Sequence, residues 1–174
     1  MATFALNREP VALDSSQLRL IAEATIEVCA TMQGITLDLS GDPFSFSLSQ
    51  IDPFEVGSCI NVTGPGMEWN LAIFSSEVCC KQLVALMIGS IPADIALDDM
   101  ADAFGETLNI IAGTAKRKLP SNDLFPLVIG IPQFLDGSDC VKYLSSGVEV
   151  CCQLLTDAIS GIEVAVVWKE HTPL

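Results

Sequence analysis

In the segment DDMADAFGETLNIIAGTAKRKL, four positions with polar or minimal side chains recur at helical spacing: Asp102, Glu106, Asn109 and Gly113, separated by four, three and four residues. On an α-helix these intervals stack the side chains along one line of the surface. An asparagine amide does not ionise in the useful pH range and is a poor general base. It does offer a donor and an acceptor at fixed geometry, and so can hold a water molecule. A glutamate one turn away can pair with a cation on a partner and fix a docking register. Gly105 and Gly113 each weaken a helix by roughly 1 kcal/mol relative to Ala, and Asn109 by about half that, so their presence asks for a reason beyond folding. Part of that reason can be packing, with Gly105 admitting another helix; Gly113 bares backbone one turn beyond Asn109. Spacing alone does not name a reaction.

The other reactive residue types are arranged less suggestively. The seven cysteines, Cys29, Cys59, Cys79, Cys80, Cys140, Cys151 and Cys152, form an odd set without Cys-x-x-Cys spacing. A chain of this size does not need them as staples, and the vicinal pairs suit buried thiols in apolar elements better than a redox centre. The single histidine, His171, lies three residues from the last residue. Zinc ligation and Ser-His-Asp or Cys-His catalysis normally need histidine in an ordered setting, so no metal site is expected.

The ridge requires a helix to carry it. Leu97, Met100, Ala101, Phe104, Leu108, Ile111, Ala112, Ala115 and Leu119 share one arc at about 100° per residue, which predicts a buried stripe opposite the ridge. Asp98, Asp99 and Asp102 fall in its first turns and Lys116, Arg117 and Lys118 in its last, each sign at the favourable end of the helix dipole, and Pro120 stops the run. A second helix is expected earlier: Asp14-Ser-Ser-Gln17 has capping-box spacing, and Leu18, Ile21, Ala22, Ile26, Cys29 and Met32 form its stripe up to Gly34.

Strands fill the remainder. Phe44, Phe46 and Leu48 alternate with serines between Pro43 and Pro53, and residues 55–62 and 67–74 flank Thr63-Gly-Pro-Gly66 as a hairpin with Met67, Trp69, Leu71 and Ile73 on its apolar face. Ser75 or Ser76 caps a short helix through Met87, ended by Gly89 and Pro92. After Pro120, residues 127–131, 141–155 and 162–169 read as strands, the last setting Ile162, Val164, Val166 and Trp168 against Glu163 and Lys169, with Gly137, Gly147 and Gly161 as breaks. Helix-then-strands thus occurs twice. The expectation is one α+β domain over 1–174, with two long antiparallel helices, about 16–33 and 95–118, packed on a mostly antiparallel sheet.

Half of the 174 residues are hydrophobic, enough for one domain that buries about 70% of its unfolded surface. Acidic residues outnumber basic ones by 22 to 8, a net charge of −14, with no basic stripe to neutralise phosphates, so nucleic acid and anionic membrane are unsuitable partners. MATFALNREP is not a secretory leader, and no apolar run approaches the ~18 to 20 residues of a membrane span; a cytoplasmic protein is expected.

The stretch ADAFGETLNIIAGTAKRKL resembles the active-site helix of the CheX/CheC family of chemotaxis phosphatases, whose hallmark is Glu-x-x-Asn followed by a small residue and a basic helix end. Gly64-Pro-Gly66 leading to Trp69, Leu71 and Ile73, then Leu86-Met87-Ile88-Gly89, is similar to the family's preceding segment, and Pro126-Leu127-Val128-Ile129-Gly130 to its following strand. The resemblance covers about residues 60–131. It implies a CheC-like fold with weak internal duplication, a homodimer formed through apolar strand edges in the C-terminal half, and a phosphorylated CheY-type receiver domain as partner. It also implies that the receiver contributes the aspartyl phosphate, a lysine and Mg²⁺, with no cofactor bound by this chain. Glu106 then meets the lysine and Asn109 orients the attacking water, while Ile110 and Gly113 shape the contact surface. CheC-type relatives can carry the pair on both long helices; here Glu23 is followed by Ile26 and Glu27 by Ala30, so a single, CheX-like site is expected. The alternative is a non-catalytic partner-binding module, as in flagellar-switch proteins of the same fold.

Overall fold

The computed structural model describes residues 9–10, 15–45, 54–64, 67–119, 126–145 and 150–170. Helix α1 (Ser15–Met32) precedes the two-residue strands β2 (Asp38–Leu39) and β3 (Phe44–Ser45), and β1 (Glu9–Pro10) lies before it. A hairpin of β4 (Val56–Gly64) and β5 (Met67–Ser75) follows, then α2 (Glu77–Ile88) and α3 (Leu97–Lys118). The chain continues through β6 (Val128–Ile129), β7 (Gln133–Asp136), α4 (Gly137–Leu144), β8 (Cys151–Thr156) and β9 (Glu163–Glu170).

All described strand pairs are antiparallel and belong to one sheet. Its order is β1-β3-β8-β9-β5-β4-β6, with β2 also on β8 and β7 also on β4. The centre is two hairpins side by side: β8-β9 meets β5-β4 through the register Leu71↔Trp168 and Ile73↔Val166. Helix α1 packs on β8 and β9, and α3 on β4 and β5. Each long helix thus covers the hairpin from the other half of the chain, a two-fold arrangement that the repeated helix-then-strands order anticipates.

The two long helices run antiparallel. Gln33, just past the end of α1, reaches Thr107 in the middle of α3 at 3.3 Å, while Glu27, earlier in α1, meets Lys118 at the end of α3 at 3.1 Å. Their shared stripe, including Ile21, Ala22, Leu108, Ile111 and Ala115, is buried against Ile60, Leu71, Ile73, Val164 and Val166 of the sheet. Trp69 and Trp168, diagonal to one another across β5 and β9, bring ring centroids to 4.9 Å on this face. Alternation of period two selects these residues, since every second strand position points toward the helices.

The opposite face of the sheet is also covered, and here the structure departs from the sequence pattern. Residues 141–155 are not one strand: Gly137–Leu144 is helical, with Gly137 at φ of 39° marking the break after β7, and among the described residues of that span sheet pairing begins at Cys151. Cys140 and Leu144 are four apart and both buried, a helical rather than a strand period. They join Phe54, Phe74, Ala165 and Val167 in a second core. Gly57 is required there, because the Phe74 ring lies where a β-carbon would stand. Lys169 accordingly is not on a wet face. It is 6% exposed, donates from Nζ to the Tyr143 carbonyl at 2.7 Å, and lies 3.7 Å from the centre of the Tyr143 ring. Burial lowers its pKa.

Other expectations divide in the same manner. Ser76 caps α2 by accepting from the Cys79 N–H at 3.1 Å, and Gly89 ends it with φ of 70°, a conformation that favours glycine. The strand expected over 127–131 is shortened to Val128–Ile129, and Gln133–Asp136 forms an additional strand. Strands β8 and β9 are interior, so β6 and β7 are the C-terminal-half strands at a sheet margin. The Asp14 capping box, the Phe46 and Leu48 alternation, the Pro65-Gly66 turn, the Pro120 stop, Gly147 and His171 lie outside the described residues.

Candidate functional site

Helix α3 is anchored at both ends. Asp99 Oδ2 accepts from the Ala96 N–H at 3.0 Å, satisfying one free donor before the first turn. In the last turns Arg117 folds back, donating to the Gly113 carbonyl and to Thr114 Oγ1, each at 3.2 Å. Between these anchors Met100, Phe104, Leu108, Ile111, Ala112 and Ala115 are buried, as the sequence arc predicts, and Leu119 with them. The arc is wider than the apolar residues alone indicate, since Ala103, Thr107 and Thr114 are buried too. Leu97 departs from it at 50% exposure, lining the mouth of a cleft at the start of the helix.

Rotation of the helix by this stripe aims the ridge outward. Asp102, Glu106 and Asn109 are exposed, and Gly113 is half-buried on the same line. Among the described residues, neither Glu106 nor Asn109 forms a hydrogen bond or ion pair. A β-carbon at Gly113 would meet nothing within 4 Å, so no packing within the chain demands glycine there. Gly105 is different: its β-carbon would lie 3.7 Å from Pro132 Cβ, so its neighbour is the β6–β7 connection and not another helix. Ile110 is half-buried and packs against the main core, which gives it a folding role on the shoulder of the ridge.

The ridge contains no hydroxyl, thiol, amine or imidazole, and among the described residues no group of three or more His, Cys, Asp or Glu could hold a metal ion. What it presents is an amide and a carboxylate one turn apart, both held on a rigid element and both without partners among the described residues. Such a pair can orient a water and fix a cation, and must find the reacting group on another molecule. A cleft of about 740 Å³ lined by Phe54, Val56, Leu97, Met100 and Val141 lies at the start of α3 and includes neither ridge residue.

The cysteines take no part. Six are buried and Cys79 is partly so. Burial pushes the thiols of Cys29, Cys80 and Cys140 up to about 12 and that of Cys59 to about 11, which leaves them protonated at neutral pH. Gln33 and Thr107 are the residues that reading by type overlooked. Gln33 stands at a helix end before Gly34, and only its burial marks it as more than a solvated terminus.

Two long helices lie over one antiparallel sheet, and a Glu-x-x-Asn faces solvent on the second of them. Residues 56–156, more than half of the chain, match the family model described as chemotaxis phosphatase CheX, and the chain belongs to that family. Solved structures share its CheC-like fold. A CheC-like superfamily protein from Shewanella sp. PV-4 aligns with a TM-score of 0.75 at 18% identity, over 92% of this chain and 100% of that one. The chemotaxis protein CheX from Desulfovibrio desulfuricans gives 0.68 at 21% identity, over 90% and 99%. CheX from Borrelia burgdorferi, in a complex with CheY, BeF3 and Mg²⁺, gives 0.71 at 17% identity, over 91% and 100%. A comparison with curated protein sequences finds no match. Among the described residues, no helix is long and apolar enough to cross a membrane.

Proposed function

We propose that the chain hydrolyses the aspartyl phosphate of a CheY-type receiver domain. The observation that carries this reading is the exposure of Glu106 and Asn109, side by side and unpartnered among the described residues, on a helix whose opposite face is fully engaged in the core. Asn109 holds a water in line with the receiver's phosphorus. The water oxygen forms the new P–O bond, the bond from phosphorus to the aspartate oxygen breaks, and the water's proton leaves with the phosphate. The products are inorganic phosphate and a free aspartate. Phosphoryl transfer asks little more of a protein than positioning and charge stabilisation, so an amide that orients water is sufficient as this chain's share.

Glu106 pairs with a lysine of the receiver and sets the register, and Gly113 and Ile110 lie against the receiver surface. Mg²⁺ belongs to the receiver, in keeping with the Borrelia CheX structure that contains CheY, BeF3 and Mg²⁺. The site is single. In α1, Glu23 is paired with Arg19 at 3.5 Å, and Ile26, where an asparagine would be needed, packs partly into the core. The protein acts as a homodimer, with the margin of β6 and β7 and its exposed Val128 and Ile131 as the contact.

The decisive test is single-turnover decay of phosphorylated receivers from the same genome, with and without the protein. Acceleration of one of them supports the reading. Stable binding of a phosphoreceiver without any acceleration overturns it in favour of a binding module. Light scattering that reports a monomer at micromolar concentration removes the dimer.

A further inference from the structure

Three elements converge on one hydroxyl beneath the ridge. Gln33 Nε2, just past the end of α1, donates to Thr107 Oγ1 of α3 at 3.3 Å, and the Thr107 hydroxyl lies 3.8 Å from Met87 Sδ in the last turn of α2. Gln33 and Thr107 are 7% and 4% exposed. Thr107 directly follows Glu106 and stands two residues before Asn109. The apolar stripe sets which face of α3 is buried, but because the hydrophobic effect is non-directional it leaves the last few degrees of rotation soft. This hydrogen bond supplies direction.

Gln33 is also an unfavourable choice for folding. Its Oε1 is buried and has no hydrogen-bond partner among the described residues. A buried acceptor left unmade carries a desolvation penalty that an apolar side chain of similar length avoids. Its backbone is nevertheless fixed, with its N–H donating to the Cys29 carbonyl at 3.0 Å and Gly34 turning the chain away at a φ of 69°. A residue that breaks a local rule beside a working surface is expected where function requires it.

We propose that Gln33 is a positioning residue for the phosphatase reaction. Through Thr107 it fixes the last few degrees of the rotation that the apolar stripe gives α3, so that Asn109 and Glu106 meet the docked phosphoreceiver in productive geometry. The inference rests on the proposed function. A helix with side chains has a radius of about 5 to 6 Å, so a rotation of roughly 10° displaces ridge atoms by ~1 Å. Misplacement of that order is enough to slow a positioned reaction substantially.

The test uses the full chain with Gln33→Met, which keeps length and removes both polar atoms, and Thr107→Val and Thr107→Ser, of which only the second keeps the hydroxyl. Gln33→Met should melt at or above the wild-type temperature. In single turnover its maximal rate on the phosphoreceiver should fall on the order of tenfold or more, with half-saturation by receiver unchanged. Thr107→Val should be slowed likewise, at a lower melting temperature because it leaves the buried Gln33 amide unpaired, and Thr107→Ser should stay within about twofold of wild type. Without any receiver, the NMR resonance of the Asn109 side-chain amide should move in Gln33→Met. A Gln33→Met protein with wild-type rate and an unmoved Asn109 resonance overturns the inference while leaving the phosphatase intact. Equal slowing by Thr107→Ser and Thr107→Val overturns it too. A wild type inactive on every phosphoreceiver removes the function itself, and this role with it.

Discussion

Asn109→Ala separates catalysis from folding more cleanly than any other substitution in the chain. The side chain is exposed and has no partner among the described residues, so truncation opens no cavity and leaves no buried group unpaired. Alanine is the better helix former by about 0.5 kcal/mol, and for a domain of this size that raises the melting temperature by ~1 to 2 °C. If the amide only orients water, its loss should lower the single-turnover rate on the order of 10²-fold, equivalent to about 2.7 kcal/mol of transition-state stabilisation. Receiver affinity should stay near wild type, because a water-positioning contact made in the transition state contributes little to the ground state. Asn109→Gln retains the amide but moves it outward by one methylene, and should also be slow. The assay is decay of a phosphorylated receiver at saturating protein, with a thermal melt of each variant. An Asn109→Ala protein that keeps the wild-type rate would refute the mechanism.

Glu106→Ala should weaken receiver binding as well as turnover, and rising salt should weaken the wild type more than the variant, as a titration at two ionic strengths will read. Gly113→Ala adds a methyl group into open space and removes a helix-interior glycine, so the melt should rise by ~2 to 4 °C, for about 1 kcal/mol; half-saturation by receiver should nevertheless increase if that surface is where the partner sits. Thiol reagent added to the native protein at pH 8 should label Cys79 first, with Cys29, Cys59, Cys80 and Cys140 reacting only on denaturation. Rapid native labelling of those four would contradict their burial and raised pKa values.

How far the sequence could be read depended on how much each element stands alone. Helix α3 was legible almost to the residue, because its stripe, its charge asymmetry and its ridge lie within 22 consecutive positions. The β4-β5 hairpin was legible for the same reason, its register running from Val56↔Ser75 to Gly64↔Met67 across a two-residue connection. Helix α4 was not. Val141, Tyr143 and Leu144 are apolar enough to pass for strand, and what decides for helix is the burial of Cys140 and Leu144 against Phe54 and Phe74, residues distant in sequence. The alternation did set Lys169 on the face opposite Val166 and Trp168, but nothing in the β9 pattern shows that α4 covers that face. The ridge residues were found because exposure follows from the opposite stripe. Gln33 was missed because its importance depends on what lies 74 residues away.

The two-fold arrangement of the fold bears on the proposal of a single site. Helices α1 and α3 occupy equivalent places over the two central hairpins, so the scaffold offers two outward faces, and chemistry distinguishes them. On α3 the outward line has a carboxylate and an amide without partners among the described residues, and an open glycine position. On α1 the corresponding glutamate is neutralised by Arg19 within its own helix, and the position three residues on is the partly buried Ile26. An apolar side chain there cannot orient water, and turning it outward would lose its packing without supplying a donor. The α1 face can therefore support the fold without duplicating the reaction. Gln33, just past the end of α1 and buried between the helices, donates to Thr107, so in the proposed role one half of the molecule carries the ridge and the other half helps to hold it in place.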